Sequence, residues 1–340
     1  MRDNRERRDP VDHLLAAGLR NRWWCIGPSA MFQDKPVALT RLGEELVGWR
    51  GSDGALHLVA DQCPHRGAAL SRGRVIDGNV ACRYHGVQIA GDGTVAAVPA
   101  LPTCNLVGQK LVRSYPVIEH FQGVWAYFGD DEHREPCALQ LPQELLSPEW
   151  TGLVVSSTWG CNYQYVLDNL VDPMHTTYLH EESYSMGIDQ RTDLVDVKAT
   201  PTGLLVTRRN DPSNIEAMEF IDTGAFFVRV GISLPPSLGP GGPLRVITTV
   251  VPIDEELCQI NFWRLRKVSG WQAAMFRFMY NAVYDKFTWE VLEQDREALD
   301  EMPPWPSAEN LYQHDTGITR LRRYLRMEAE AQCGIRSVAE

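Results

Sequence analysis

Hydrophobic and polar positions change period along this chain. Between residues 22 and 129, apolar residues come in short runs: 23–26, 46–49, 55–59 and 123–128. These runs are rich in aromatic and β-branched side chains and predict strands. Gly51-Ser52-Asp53-Gly54 and Gly91-Asp92-Gly93-Thr94 predict hairpin turns. A polar stretch over 130–136 reads as a linker. Further strands are expected at 204–207, 225–230, 245–251 and 259–264, with a Pro/Gly-rich loop over 235–243 between two of them. From 270 to 301 the period becomes helical, and Pro303-Pro304 ends it. A last helix is expected over 316–331.

This order predicts an α+β chain. An all-β domain is expected over 22–130. A second domain is expected over 131–340, with an antiparallel sheet against a long C-terminal helix. Residues 1–21 are expected to pack as an N-terminal helix. There is no internal repeat and no low-complexity segment.

Composition narrows the class. With 340 residues, 44% of them hydrophobic, and ten tryptophans, the chain has room for two cores. The net charge of −11 speaks against nucleic-acid binding. Eight scattered cysteines give no disulfide framework, which fits a reducing cytoplasm. The charged amino terminus has no apolar region behind it, and no run of eighteen apolar residues occurs. Neither a signal peptide nor a membrane span is expected.

The chemistry concentrates in two places. Cys63-Pro64-His65 and Cys82-Arg83-Tyr84-His85 each offer one thiolate and one imidazole. Two thiolates for one iron and two imidazoles for the other make the ligand set of a Rieske [2Fe–2S] centre. A zinc finger would group its cysteines together and its histidines together; here they alternate. Four arginines, Arg66, Arg72, Arg74 and Arg83, gather around these ligands. They form either a basic rim for an acidic electron donor or ordinary arginines paired with acids such as Asp61 and Asp77.

The second place reads Asp168-Asn169-Leu170-Val171-Asp172-Pro173-Met174-His175-Thr176-Thr177-Tyr178-Leu179-His180. Two histidines and an acid suggest a mononuclear Fe(II) site of two histidines and one carboxylate, with positions open for O₂ and substrate. His175 and His180 stand roughly 140° apart on a regular helix, so the helix must break or carry a π-type turn. Pro173 gives a reason for a break. The local alternative is an Asp172 N-cap followed by Pro173 as first helical residue.

Together these motifs resemble the Rieske non-haem iron oxygenases, and most closely the branch of vanillate O-demethylase and dicamba monooxygenase. The resemblance spans about 23–323. It implies a helix-grip second domain whose long helix, around Trp289 to Leu299, carries the third iron ligand, Asp295. Glu290, Glu293, Glu297 and Asp300 are the nearby acids read as a solvated face. Asp172 would accept a hydrogen bond from a ligand histidine and bridge to a cluster histidine of a neighbouring subunit. Asn169 matches a residue close to the iron. Phe226, Val228, Ile247, Thr249, Asn261 and Trp263 are candidate pocket walls, with Trp289 opposite.

The resemblance further implies the terminal oxygenase of a multicomponent monooxygenase of the EC 1.14 class, acting by demethylation or hydroxylation. Its substrate would be an apolar, aromatic or polycyclic small molecule. A separate NAD(P)H-dependent reductase or ferredoxin would feed it, because no dinucleotide fingerprint occurs. A homotrimer is implied as well. An aromatic-ring cis-dihydroxylating dioxygenase α subunit and a Rieske electron carrier without catalysis remain as alternatives.

Overall fold

The structure is a computed structural model and describes residues 9–33, 35–130, 135–181, 183, 192–209, 215–233 and 242–335. Asp131, Glu132, His133 and Arg134 of the expected linker, and residues 235–241 of the Pro/Gly loop, lie outside them. The chain divides into two compact units: Asn21–Cys137, and Met1–Arg20 together with Ala138–Glu340.

The smaller unit is built of antiparallel strands. In one sheet β1 (Arg22–Pro28) and β9 (Val117–His120) flank β10 (Gly123–Phe128). Every residue of β10 is buried, which explains its unbroken apolar run. A second sheet is the meander β2 (Val37–Arg41), β3 (Glu44–Arg50) and β4 (Leu56–Ala60). The third is β5 (Arg74–Ile76), β6 (Asn79–Ala81), β7 (Gln88–Ile89) and β8 (Val95–Ala97). Val47, Trp49, Val59, Leu70, Val80, Ile89 and Val112 pack into one core that also contains Cys63 and Cys82. The buried indole N–H of Trp49 donates to the carbonyl of Gly78 at 2.9 Å, so its burial leaves no orphan donor.

The larger unit is organised on a seven-stranded antiparallel sheet. Its order is β11 (Thr151–Trp159), β17 (Cys258–Arg266), β16 (Leu244–Pro252), β15 (Phe226–Ile232), β14 (Ile215–Asp222), β13 (Gly203–Arg208) and β12 (Val195–Thr200). The expected long helix is present in three segments: α5 (Gly270–Met279), a π-helical turn at Tyr280–Tyr284, and α6 (Asp285–Asp300). Here α1 is Pro10–Ala17, α2 Gln143–Leu146, α3 Tyr163–Leu170, α4 His175–Leu179 and α7 Thr316–Gln332. The segment carrying α1 lies along α7: Arg20 and Gln332 exchange two hydrogen bonds of 2.9 and 2.8 Å, and Asp12 pairs with Arg326 at 2.9 Å.

Strand register corrects the expected pocket wall. Val228, Thr248 and Phe262 are directly paired across β15, β16 and β17, and so share one face. Val230, Val246 and Phe262 on that face pack with Ala273, Phe276 and Tyr280. It is the helix-covered face, and Phe226 belongs to it by alternation. Ile247, Thr249, Asn261 and Trp263 pair among themselves on the opposite face. Arg229, on that opposite face, bonds Glu144 of α2 at 3.0 Å. Both faces are buried, so hydrophobicity alone does not tell them apart. Thr248 takes the place of those four as a wall candidate. It is 1% exposed, and its hydroxyl has no partner among the described residues. Trp289 donates its indole N–H to Asp285, which also pairs with Arg264 of the sheet.

Asp168 on α3 is buried beside α7. Arg322 donates to its Oδ2 through Nε at 3.0 Å and Nη2 at 2.6 Å, but also serves Glu309. Burial dominates and pushes the Asp168 carboxyl up to about 7, from an ordinary 3.8. The folded chain therefore keeps a proton there that the unfolded chain loses. The stability this gives is fully present below the unfolded value and is lost as pH rises through about 7. Asp168→Asn should remove that slope. Its stability relative to wild type should climb by up to about 4 kcal/mol from pH 4 to pH 7 and level off above. Thermal midpoints of both proteins across that range measure it; a constant difference would show that Arg322 keeps Asp168 ionised throughout.

Candidate metal centres

The first centre stands on two loops of the smaller unit, one after β4 and one between β6 and β7. Both close in the same way. The amide of Cys63 donates to the carbonyl of Ala68, and that of Gly67 to the carbonyl of Cys63, at 2.9 Å each. In the second loop Cys82 donates to Val87 at 2.8 Å and Gly86 to Cys82 at 2.9 Å. Gly67 and Gly86 sit at φ +75° and +72°, a left-handed conformation that disfavours any side chain there. Asp61 braces the first loop by accepting from the amide and the hydroxyl of Ser71.

Cys63 and Cys82 are 3% and 4% exposed, rooted in the core, while His65 and His85 are exposed with ring centroids 4.7 Å apart. Burial pushes the Cys63 thiol up, against the His65 and Arg66 amides that hydrogen-bond to its sulfur, and the Cys82 thiol lies within hydrogen-bonding reach. Two buried sulfurs converging beneath two exposed imidazoles fit a [2Fe–2S] group with one sulfur-held and one imidazole-held iron. Arg66 stacks over Tyr84, and Tyr84 lies against His85. Arg66, Arg72, Arg74 and Arg83 are all exposed, and none pairs with a carboxylate among the described residues.

The second centre lies in the larger unit. Asn162 caps α3 by accepting from the Gln164 amide at 3.0 Å, and α3 ends at Leu170. The chain then turns. The amide of Asp172 donates to the Asn169 carbonyl, and Asp172 Oδ1 accepts from the amide of Met174 at 2.8 Å. Pro173 sits inside this break, and α4 starts at His175. His180 is the residue at which α4 stops, so regular helical spacing no longer applies to it and both rings reach one point. His175 Nε2 lies 3.5 Å and His180 Nε2 3.2 Å from Asp295 Oδ1. The candidate ligand atoms of these three residues all fall within 4.8 Å of one another.

Asn169 Nδ2 donates to the same Asp295 oxygen at 3.1 Å. Asp172 meets His175 through its main-chain carbonyl, 2.6 Å from Nδ1, while its carboxylate Oδ2 stays 3.8 Å away. A carbonyl only accepts, so Nδ1 of His175 carries the proton and Nε2 presents its lone pair. His180 Nδ1 faces Gln294 Oε1 at 2.8 Å. Gln294 is a residue that sequence reasoning missed; its one signal is its place next to Asp295. Burial opposes a charge on His180, but the hydrogen bond and charge of Asp295 outweigh it and hold its pKa above the ordinary value. Two Nε2 lone pairs and one carboxylate are a donor set that fits Fe(II).

The other acids of α6 have different surroundings. Glu293 bonds Arg296, Asp300 bonds Arg296 and the Gly160 amide, and Glu290 and Glu297 are exposed.

A β unit with a Cys₂His₂ loop pair, followed by a sheet-and-helix unit with a His₂Asp cluster, defines a two-centre Rieske architecture. Residues 22–116 match the Rieske [2Fe-2S] domain, and residues 159–331 match the vanillate O-demethylase oxygenase C-terminal domain. The chain belongs to this family of Rieske proteins. It is 34% identical over 164 residues to a vanillate O-demethylase oxygenase subunit of Pseudomonas sp. (strain HR199 / DSM 7063), covering 48% of this chain and 46% of that one. It is 31% identical over 162 residues to the oxygenase component of dicamba O-demethylase from Stenotrophomonas maltophilia, covering 48% of each. The chain thus spans about half the length of the curated relatives it matches. A solved complex of oxygenase and ferredoxin from carbazole 1,9a-dioxygenase shares the fold, with TM-score 0.76 at 19% identity over 97% of this chain and 95% of that one. No described helix is long and apolar enough to cross a membrane.

Proposed function

We propose that this chain is the terminal oxygenase component of a multicomponent Rieske monooxygenase. The observation that carries the reading is the convergence of His175, His180 and Asp295 in a chain that also carries the Cys₂His₂ loop pair. A pure electron carrier would need only the latter. Cys63, His65, Cys82 and His85 would hold the cluster, and His175, His180 and Asp295 the iron. When bound, the cluster would supply single electrons and the iron a place for O₂ to be activated. The chain's own groups do the positioning: Asn169 steadies the Asp295 carboxylate, and the Asp172 carbonyl keeps the His175 Nδ1 protonated.

Phe226, Val228 and Phe262 give the helix-facing wall an apolar character, and the Thr248 hydroxyl adds one polar point. That pairing suits a mostly apolar, aromatic or polycyclic small molecule carrying one hydrogen-bonding group. Demethylation or hydroxylation is the reaction expected. None of the eight cysteines is in a disulfide, in keeping with a cytoplasmic setting.

The test is a screen of methoxylated aromatics, N-methyl compounds and steroids with a surrogate reductase, scored by substrate-dependent NAD(P)H oxidation. Labelled O₂ should then place one labelled atom in the organic product and release the other as water. Two labelled atoms in one product would make the chain a dioxygenase, and iron near two per chain, rather than three, would leave only the electron carrier.

The electron donor is expected to be a separate, acidic ferredoxin or reductase docking on the unpaired arginine rim. Exposed charges are screened by salt, so apparent donor affinity should weaken steadily as ionic strength rises. Affinity that stays flat across that range would remove the rim from donor binding.

A further inference from the structure

The two histidines of the second centre are aligned by different devices. His175 is held by a main-chain carbonyl; His180 is held by a side chain one residue from the carboxylate it faces. Gln294 Oε1 accepts from His180 Nδ1 at 2.8 Å and from Ser183 Oγ at 3.0 Å. We infer that Gln294 is the positioning residue that holds His180 ready for the metal, with Ser183 fixing Gln294 in turn. The inference rests on the reading of His175, His180 and Asp295 as ligands.

The chemistry follows from the atoms involved. An amide oxygen has two lone pairs and can take both donors at once. By accepting at Nδ1 it puts the His180 proton there and leaves Nε2, 3.2 Å from Asp295 Oδ1, with its lone pair. Gln294 and Asp295 are consecutive on α6, so the ligand and the group that aligns its neighbour move as one rigid piece. The segment after α4 is held to that piece twice, at His180 and at Ser183. The acceptor is also neutral. An acidic acceptor would pull harder on the Nδ1 proton and make the imidazole a stronger donor to metal. With an amide there, Asp295 is the one formal negative charge among these contacts.

The prediction is made on metal affinity rather than on turnover. Full-length protein with its cluster loaded is cleared of mononuclear metal and titrated anaerobically with Fe(II) against a competing chelator. Gln294→Met keeps length and loses both hydrogen bonds, and should weaken Fe(II) binding about 10–100-fold, the usual effect of removing such a partner. Gln294→Glu keeps the acceptor and should bind at least as tightly as wild type. Ser183→Ala should lose less than Gln294→Met, and should add nothing to it in the double variant. A general packing defect would not be rescued by glutamate and would lower the melting temperature or disturb the cluster signal; these should stay put.

Wild-type affinity in Gln294→Met, or an equal loss in Gln294→Glu, would overturn the role. Should Gln294→Met fail to fold, Ser183→Ala decides: unchanged affinity there rejects the inference. Asp295→Ala run alongside separates the two levels. Iron binding retained in Asp295→Ala sinks the ligand reading itself; binding lost there but kept in Gln294→Met sinks only the role of Gln294.

Discussion

Asp295→Ala is expected to lose the mononuclear iron and all turnover while the cluster spectrum persists. The carboxylate is the point on which His175 Nε2, His180 Nε2 and Asn169 Nδ2 converge at 3.5, 3.2 and 3.1 Å. Without it, two neutral imidazoles remain as ligands. The loss should exceed the roughly 10–100-fold that removal of an outer hydrogen-bond partner brings. The cluster should be untouched, because its four ligands stand in the other unit, on loops rooted in their own core. Glu293→Ala and Glu297→Ala are the controls. Glu293 is engaged with Arg296, and Glu297 is exposed, so both variants should keep iron and turnover. Total iron, the reduced-cluster paramagnetic signal and substrate-dependent NAD(P)H oxidation measure the three quantities separately. Iron lost in Glu293→Ala or Glu297→Ala but retained in Asp295→Ala would move the ligand to another register on α6.

The contrast among those acids shows where sequence stops being informative. Strands such as β1 and β10 and the helical stretch from 270 were legible because their apolar runs are local. The Cys-x-His and Cys-x-x-His pairs and the two histidines that follow Pro173 were legible for the same reason: each pair is closed by a turn its own residues build. Asp295 is different. It lies far downstream of His180 among acids at 290, 293, 297 and 300, and periodicity alone does not choose among them. Burial does, since Asp295 is 7% exposed.

The pocket wall failed for a related reason. Strand alternation separates two faces but names neither, and in this sheet α5 covers one face while the other is buried as well and meets α2 at Arg229. Only the pairing of Thr248 with Val228 and Phe262 says which residues share the face that meets α5. Gln294 left only its place beside Asp295 as a signal, because a neutral amide next to an acid has no pattern of its own.

Mixed oligomers should recover activity that neither parent has. The chain is proposed to form a head-to-tail trimer in which the cluster of one subunit feeds the iron of the next. Heterologous contacts of this kind close into rings when the rotation allows. Asp172 gives the proposal a contact point: Oδ1 is taken by the Met174 amide, whereas Oδ2 has no hydrogen-bond partner among the described residues. That oxygen is free to accept from an imidazole N–H of a neighbouring subunit's cluster.

His85→Ala keeps iron but has no working cluster; Asp295→Ala keeps the cluster but has no iron. Each homotrimer should be inactive. In a closed ring of three that contains both variants, one of the three directed contacts places a working cluster before a working iron site, whichever variant is in the majority. Turnover should therefore return to about one third of wild type per ring. If electrons passed only within a chain, no mixture would recover, since no chain then owns both centres. Co-expression with two tags, tandem purification of the mixed oligomers and assay with donor and substrate decide the matter. Repeating the rescue with Asp172→Asn in both parents tests the contact itself: it should fall sharply while both metal sites stay loaded. Mixed rings that remain inactive with their metals in place would rule out transfer between subunits, and with it the bridging role of Asp172.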